Sequence, residues 1–422
     1  MKIKTKEATY EEMLTRLDKA ADSKPKSIKS PNPLIRKLVY SLSKSELKKA
    51  NFRYESYDMD KLDDDEPCLI LMNHSSFIDL EIAEYVFKDR PFHIICTIDG
   101  LVAKEGLMRS VGCIPTRKFL TDPKLVKDML YVTNKLKNSI LMYPEASYSF
   151  DGTATPLPKS IGRLIRMLKV PVVMVRTYGA FHRDPLYNGL QIRDVDVTAD
   201  VKYLISKEDI ASKSPDELQV IVENEFKFDY FSWQLEKGIV VNEEFRADYL
   251  NRVLYKCPSC LKEGRMKGKG IKLSCSNCGK TYTMLETGRM SADNGVTEFS
   301  HIPDWYRWER ESVSKEIDEG SYKLDIPVKI GALVDTKSLM MIGEGRLTHS
   351  INGFHLSGCD GKLDFSMTPK ASYSLYADYY WYEIGDVICI GDNKVLYYCF
   401  PIGDSDIVAK TRLATEEIFN KI

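Results

Sequence analysis

The chain has 422 residues, of which 43 % are hydrophobic and 29 % are charged, and its formal net charge is -1. That length exceeds what one hydrophobic core organises, so two or three domains are expected, and the composition excludes a chain that is mainly disordered. A net charge so close to zero creates no global field that would attract a polyanion, so nucleic acid is not an expected partner.

Residues 1–50 form a basic segment, with thirteen Lys or Arg against six Asp or Glu. Pro31 and Pro33 open a stretch in which apolar residues recur at helical spacing. These residues are Leu34, Ile35, Leu38, Val39 and Leu42. The pattern predicts a basic amphipathic helix, whose apolar face either packs on the neighbouring domain or lies on a membrane surface.

Residues 51–240 alternate short apolar runs with amphipathic stretches of helical length. The apolar runs are 68–72, 92–96, 139–143 and 170–175. Near-continuous apolar strands between helices are typical of an α/β domain whose mostly parallel sheet is flanked by helices. We also predict a helix over 209–227.

His74 follows directly on the first apolar run, and Asp79 stands five residues later. A His that takes a proton from a hydroxyl needs a carboxylate on its other ring nitrogen, which fixes the tautomer and stabilises the imidazolium. Along a regular helix, five residues separate two side chains by about 140°. The pair can therefore meet only where the backbone breaks, as at a strand-to-helix corner, and Ser75-Ser76 suits such a corner.

The same spacing occurs again at His355 and Asp360, but only the first pair is followed by further motifs. These motifs are Gly112-Cys113-Ile114-Pro115-Thr116-Arg117-Lys118, Tyr143-Pro144-Glu145-Ala146-Ser147 and the apolar run 170–175. Together with Asn73-His74 they stand in the order of the four blocks of the glycerolipid acyltransferases. The chain therefore resembles that family, of which lysophosphatidate acyltransferase is the best-known member.

The resemblance implies an enzyme of phospholipid biosynthesis that moves a fatty acyl group from acyl-CoA or acyl-carrier protein to a lysophospholipid hydroxyl, such as that of 1-acylglycerol 3-phosphate. It makes His74 the base and Asp79 its orienting group, and the hydroxyl attacks the thioester without a covalent acyl-enzyme. It assigns the acceptor phosphate to Arg117 or Lys118, and gives Glu145 a part in holding the acceptor. The alternative is a non-catalytic adaptor that binds lipid or a partner through the two C-terminal domains predicted at 250–290 and 300–422.

Two positions of the third block depart from the family pattern. Ala146 replaces the usual Gly, which disfavours a backbone with positive φ, and Ser147 replaces Thr. Neither is the predicted base, so we expect them to affect acceptor or acyl preference and not to abolish activity.

Four of the ten cysteines form two Cys-x-x-Cys pairs within the predicted domain 250–290. Cys257 and Cys260 are followed, after fourteen residues, by Cys275 and Cys278. This spacing predicts a zinc ribbon whose four thiolates bind a structural Zn²⁺ and leave no open coordination position. Redox pairs or an iron site are the alternatives. The ribbon is basic, but aromatic residues that would stack on bases are lacking between the pairs, so anionic lipid or another domain suits it equally well.

Residues 300–422 begin with a predicted helix from 303 to about 319. Strand-like alternation follows, and a last helix is expected from about 405 to 422. The pattern predicts a small β-rich domain similar to the pleckstrin-homology class, of open function.

No stretch of the sequence approaches the roughly 18 consecutive apolar residues of a membrane-spanning helix. The charged first residues lead into no apolar signal region. Because the resemblance implies lipid substrates, we expect a cytoplasmic protein that associates peripherally with the membrane surface through residues 31–50.

Overall fold

The computed structural model describes residues 2–22, 26–120, 122–189, 191–403 and 406–422. Within these ranges the strands form three sheets, of seven, four and eight strands. The first fifty residues contribute β1 (Thr5–Glu7), α1 (Tyr10–Ala21) and α2 (Pro33–Lys49). α1 begins at a reciprocal capping box between Thr9 and Glu12, and α2 begins with Pro33 after the side-chain cap Asn32.

The seven-stranded sheet, called the central sheet below, is mostly parallel. Its strands are β2 (Arg53–Tyr57), β3 (Leu69–Met72), β4 (Phe92–Thr97), β5 (Cys113–Thr116), β6 (Ser139–Met142), β7 (Val172–Tyr178) and β8 (Thr198–Ile205). Their spatial order is β2-β8-β7-β3-β6-β4-β5, and β7–β8 is the antiparallel pair. All four residues of β3 are buried, because both faces of this inner strand are covered. The predicted α/β fold is confirmed.

Helices pack on both faces of the central sheet. They are α3 (Asp79–Val86), α4 (Glu105–Val111), α5 (Pro123–Tyr131), α6 (Ile161–Leu168), α7 (Ala180–Arg183), α8 (Lys207–Ser212) and α9 (Pro215–Phe226). The next helix, α10 (Tyr230–Glu236), buries Tyr230 and Phe231 in the core shared with the C-terminal half. The helix expected over 209–227 is two helices in the structure. The break falls at Ser214, which caps α9 through a capping box with Glu217, and at Pro215, whose missing N–H is tolerated in a first helical turn.

The four-stranded sheet belongs to the segment that carries the cysteine pairs. It consists of β9 (Met266–Lys269), β10 (Lys272–Cys275), β11 (Thr281–Met284) and β12 (Met290–Ala292), all antiparallel. The following helix, α11 (Ile302–Asp318), lies within one residue of its predicted bounds.

The third sheet confirms the β-rich C-terminal region. Its strands are β13 (Leu324–Leu333), β14 (Leu339–Ser350), β15 (Gly353–Gly358), β16 (Leu363–Met367), β17 (Tyr376–Trp381), β18 (Gly385–Gly391) and β19 (Leu396–Pro401). β13 to β16 and β17 to β19 are two antiparallel meanders, joined where β13 pairs with β19. The last helix, α12 (Ile407–Lys421), packs on β17 and β18. Residue 405, where that helix was expected to begin, lies outside the described residues, and the pleckstrin-homology likeness stays a prediction.

The first fifty residues are divided between two sheets. β1 is the eighth strand of the third sheet and pairs in parallel with β14, and Met13 of α1 is fully buried in the same core. α2 instead packs against α3 and α4. Of its predicted apolar residues, Ile35 and Val39 contact the core of the central sheet. The other three, Leu34, Leu38 and Leu42, are 80, 60 and 62 % exposed.

One buried cluster joins the central sheet to the C-terminal half. Phe150 and Tyr230, from the segments around the central sheet, pack in the same cluster as Tyr282 of β11, Trp305 of α11 and Leu413 of α12. None of the helices in the described part of the chain combines the length and the apolar character needed to cross a bilayer.

Candidate active site

His74 and Asp79 meet at the corner between β3 and α3. The Nδ1 atom of His74 lies 3.0 Å from Oδ2 of Asp79. The backbone N–H groups of Ser75 and Ser76 donate to that same oxygen at 2.7 and 3.1 Å. Asp79 is 1 % exposed, so its carboxylate is fixed by three contacts in a buried site. The structure thus brings together the pair that the sequence singled out, at the predicted kind of backbone break.

Asn73 ties this corner to the end of β7. Its Oδ1 atom accepts a hydrogen bond from the backbone N–H of Thr177 at 2.8 Å. Its Nδ2 atom donates to the hydroxyl oxygens of Ser75, at 2.9 Å, and of Tyr230. Because both the oxygen and the nitrogen of this buried amide are hydrogen-bonded, Asn73 connects the backbone before His74 to β7 and to α10.

Two tyrosine rings enclose the imidazole. The ring centre of His74 lies 4.2 Å from that of Tyr143 and 4.0 Å from that of Tyr148. Burial lowers the pKa of His74, and the hydrogen bond and charge of Asp79 oppose that shift only in part. Among the described residues Nε2 has no hydrogen-bond partner, and the side chain is 17 % exposed. A neutral imidazole with Nδ1 fixed and Nε2 unoccupied is arranged to accept a proton.

Glu145 supports the backbone of His74. One of its carboxylate oxygens accepts from the N–H of His74 at 2.8 Å, and the other accepts from the N–H of Thr155 at 2.9 Å. Burial raises its pKa to about 7, although the two backbone hydrogen bonds act in the opposite direction. The structure therefore gives Glu145 a contact to the candidate base, and its contact with an acceptor stays a prediction.

Ala146 adopts the backbone that its side chain disfavours. Its φ is +53°, in the left-handed region, and its N–H donates to the carbonyl of Tyr143 at 3.0 Å to close a tight turn. The position thus requires the conformation that suits Gly, and Ala occupies it at a steric cost.

Lys118 and Arg117 follow β5 and differ in their surroundings. Lys118 Nζ lies 4.3 Å from the ring centre of Tyr376, a residue of β17, and its positive charge contributes to the lowered pKa of His74. Burial lowers the pKa of both cations, and nearby carboxylates oppose that shift in each: Asp122 and Asp392 for Arg117, Asp99 and Asp378 for Lys118. The two cations thus differ in that the charge of Lys118 is among the causes that lower the pKa of His74. The part that β17 plays here was not predicted, because nothing in its sequence marks it as a neighbour of residue 118.

The second His-x4-Asp does not form a pair. Nε2 of His355 lies 2.8 Å from Asp364 on the adjacent strand, and not against Asp360. The His355 side chain is 45 % exposed. The same spacing thus produced no buried dyad here, because His355 lies on β15 and Asp360 lies in the turn that follows the strand.

The four predicted metal ligands converge. The Sγ atoms of Cys257, Cys260, Cys275 and Cys278 all lie within 4.8 Å of one another. Cys260 has its pKa brought down to about 7: burial acts to raise it, but hydrogen bonds from the backbone N–H of Lys262 and from Asn277 lower it. Four thiols on two turns fit a tetrahedral metal ion.

The cysteine site is fixed to α11. The backbone N–H of Lys256 donates to Glu309 at 2.8 Å, and Trp305 Nε1–H donates to the carbonyl of Lys256 at 3.1 Å. The site is thus joined rigidly to the helix that leads into the third sheet.

Comparison with known proteins gives a family match and a distant structural likeness. Residues 53–177, which include His74, Asp79, Lys118 and Glu145, match the family model described as Acyltransferase. Among solved structures the chain is similar to the 1-acyl-sn-glycerophosphate (LPA) acyltransferase PlsC from Thermotoga maritima, with 15 % identity and a TM-score of 0.37 over 45 % of this chain and 76 % of that one. No curated protein matches the chain. Residues 53–177 therefore match an acyltransferase domain, and the rest of the chain lies outside that match.

Proposed function

We propose that this chain transfers a fatty acyl group from acyl-CoA or acyl-carrier protein to the hydroxyl of a glycerolipid such as 1-acylglycerol 3-phosphate, in phospholipid biosynthesis. The observation that carries the proposal is the buried His74–Asp79 pair, with Nδ1 held at 3.0 Å and Nε2 left without a protein partner. The match of residues 53–177 to an acyltransferase family supports the reaction class.

The proposed step needs one base and no covalent enzyme intermediate. Nε2 of His74 takes the proton of the acceptor hydroxyl while that oxygen attacks the thioester carbonyl carbon. The Asp79 carboxylate stabilises the imidazolium that forms. As the carbon–sulfur bond breaks, the imidazolium returns the proton to the leaving thiolate. The products are the ester and a free thiol.

The acceptor phosphate is assigned to Lys118 in preference to Arg117. The support is that the charge of Lys118 is among the causes that lower the pKa of His74, which indicates that this cation lies near the candidate base. An ammonium binds phosphate as a point charge and needs no particular fork geometry.

The metal assigned to the four cysteines is Zn²⁺, in a structural role. Four protein ligands would fill its coordination sphere, so the ion would stabilise the fold of the ribbon and bind no substrate. Every step of the proposed reaction belongs to the residues around His74.

The protein is proposed to act at the cytoplasmic membrane surface. Leu34, Leu38 and Leu42 form one exposed stripe on α2, at a spacing of four residues, and Lys37, Lys44 and Lys48 lie on the same helix. An apolar stripe with basic neighbours suits the interface of an anionic bilayer.

A thiol-release assay with a panel of acceptors tests the proposal. Long-chain acyl-CoA is offered with 1-acylglycerol 3-phosphate, with a monoacylglycerol that lacks the phosphate, and with no acceptor. We expect turnover that depends on the acceptor and prefers the phosphate-bearing one. In the Lys118→Ala variant we expect the KM for that acceptor to rise by about tenfold or more, and in Arg117→Ala by much less. Binding of lipid without turnover on any acceptor would favour the adaptor instead.

A further inference from the structure

The last helix of the chain reaches the loop beside His74. Arg412 of α12 is 4 % exposed, and its Nη1 atom donates to Oγ of Ser147 at 3.2 Å and to the carbonyl oxygen of Tyr148 at 3.3 Å. Its guanidinium carbon lies 4.4 Å from the ring centre of Phe150. Arg412 thus fixes both the backbone and a hydroxyl of the loop that follows Glu145.

A buried network fixes Arg412 in turn. Its Nε atom donates to Glu416, one turn along α12, at 3.2 Å. The Glu416 carboxylate also accepts from Arg310 of α11 and from the hydroxyl of Ser374, each at 2.6 Å. Because the buried charges are paired and hydrogen-bonded, the guanidinium has one well-defined orientation.

The loop that Arg412 holds carries one wall of the imidazole site. The Tyr148 ring lies against His74 with the ring centres 4.0 Å apart and the planes tilted by 30°, and its centre is 5.4 Å from that of Phe77. Asp79 fixes one edge of the imidazole, whereas the two tyrosines fix its plane. A general base is aligned with an incoming hydroxyl only if the edge and the plane of its ring are both held in position.

We infer that Arg412 is a positioning residue for acyl transfer, which keeps the Tyr148 ring against the His74 imidazole by holding the backbone of residues 147–148. The inference rests on the proposed function of His74. It makes the C-terminal region part of the construction of the active site.

Two matched arginine variants test the inference. Arg412→Gln and Arg310→Gln each remove one cationic partner of Glu416, so both lower thermal stability, but only Arg412→Gln frees the loop. We expect kcat for thiol release to fall about 10- to 100-fold in Arg412→Gln, with the KM for donor and acceptor nearly unchanged. In Arg310→Gln we expect kcat to stay within about twofold of the parent value, the usual margin for a change outside the site.

Variants of Tyr148 provide a second test if the Arg412→Gln protein folds poorly. Tyr148→Phe retains the ring and should keep the parent kcat, whereas Tyr148→Ala should reproduce the loss expected in Arg412→Gln. Because both changes act through one ring, the double variant should lose no more than either alone.

The pH profile separates positioning from general loss of stability. Burial is the main cause that lowers the pKa of His74, so removing the Tyr148 ring should admit water and move the acid limb of kcat/KM to higher pH. Tyr148→Ala decides this point, because it leaves the nearby charges of Asp79, Lys118, Glu145 and Arg412 in place. The limb should not move in Arg310→Gln.

Equal kinetic losses in Arg412→Gln and Arg310→Gln, or additive losses in the double variant, would overturn the inference and leave the proposed function standing. Absence of turnover in the parent protein, or full turnover in His74→Ala, would overturn the proposed function as well.

Discussion

His74 is held at Nδ1 by Asp79 and between the rings of Tyr143 and Tyr148, so Nε2 is the ring atom left for a substrate. The buried environment keeps the imidazole neutral near pH 7, which is the form a general base needs. The same burial keeps the base unprotonated to a lower pH than an ordinary histidine would allow, and activity should be lost only where the imidazole becomes protonated.

The first prediction concerns the pH profile. Because the folded-state pKa of His74 is lowered from its ordinary 6.5, the acid limb of kcat/KM should have its midpoint below pH 6.5. Asp79 acts to raise that pKa, so Asp79→Asn should move the limb to lower pH still, while kcat falls by about 10²- to 10⁴-fold as the tautomer is lost. Steady-state rates from pH 4.5 to 8 measure both. A limb that moved upward in Asp79→Asn would contradict the assignment of the pair.

A second prediction follows from the turn at Ala146. Its φ of +53° is costly for Ala and free for Gly, so Ala146→Gly should raise the free energy of unfolding by about 0.5–1 kcal/mol. Ala83→Gly, inside α3, is the matched control and should lower it by about 1 kcal/mol or more. Denaturant titration distinguishes them; destabilisation by Ala146→Gly would show that the turn is not strained.

The sequence predicted the His74–Asp79 pair but not the residues that surround it. His74 and Asp79 were predictable because the corner that brings them together spans only five residues. The motifs that follow them also distinguish this pair from His355 and Asp360. The place of the Tyr148 ring beside His74 was not predictable. The loop that carries this ring is held by Arg412, which hydrogen-bonds to Ser147 across a separation of 265 residues. Glu145 was predicted as a site residue, and its contact to the His74 backbone became visible only in the folded loop.

Two elements outside the catalytic site have roles of their own: the cysteine segment contacts α11, and α2 exposes an apolar stripe. The ribbon joins α11 through Lys256, and α2 presents three leucines away from the core. The convergence of the four cysteines was predictable because metal-ligand spacing is a local constraint, and the bound Zn²⁺ stays a prediction. The exposure of α2 was not, because its sequence suits packing and lipid contact equally.

The third prediction tests the metal. The purified protein should contain one Zn²⁺ per chain by elemental analysis, and Cys260→Ser or Cys275→Ser should lose it and lower the melting temperature. Cys359→Ser is the matched control, because Cys359 lies outside the cluster and should leave the metal content unchanged. Visible absorption from iron–thiolate bonds would instead identify an iron site.

The fourth prediction tests the stripe on α2. Leu38→Asp should reduce co-sedimentation with vesicles that contain anionic lipid, because it places a negative charge in the apolar stripe. Leu261→Asp changes an equally exposed leucine of the ribbon segment and should leave binding unaltered. Added salt should weaken the parent's binding, since the basic part of the attraction is screened. Equal binding by both variants would remove α2 from the membrane contact.

Both ends of the chain pack against segments that are distant in sequence. β1 pairs with β14 more than 330 residues later, and α12 reaches the loop beside His74. The sequence did not indicate the first of these, because Thr5–Glu7 is a short polar strand with no apolar alternation. The Thr9–Glu12 capping box is a local signal for the start of α1, a helix that was not predicted.

Long-range contacts of this kind explain why local sequence patterns predict the strands and helices but not how they assemble. Apolar runs and helical periods predict strands and helices locally. Which strand lies beside Lys118, or which helix holds residue 148, depends on packing between segments hundreds of residues apart. Tyr376 and Arg412 are therefore the site residues that only the structure supplies.

The central claim is that the His74 imidazole removes the proton of the acceptor hydroxyl. Thiol release from acyl-CoA with 1-acylglycerol 3-phosphate, measured for His74→Ala beside the matched His355→Ala, tests it most directly. We predict that His74→Ala loses at least about 10²-fold in kcat while its melting temperature stays close to the parent's, and that His355→Ala keeps full activity. Comparable turnover in the two variants would contradict the claim.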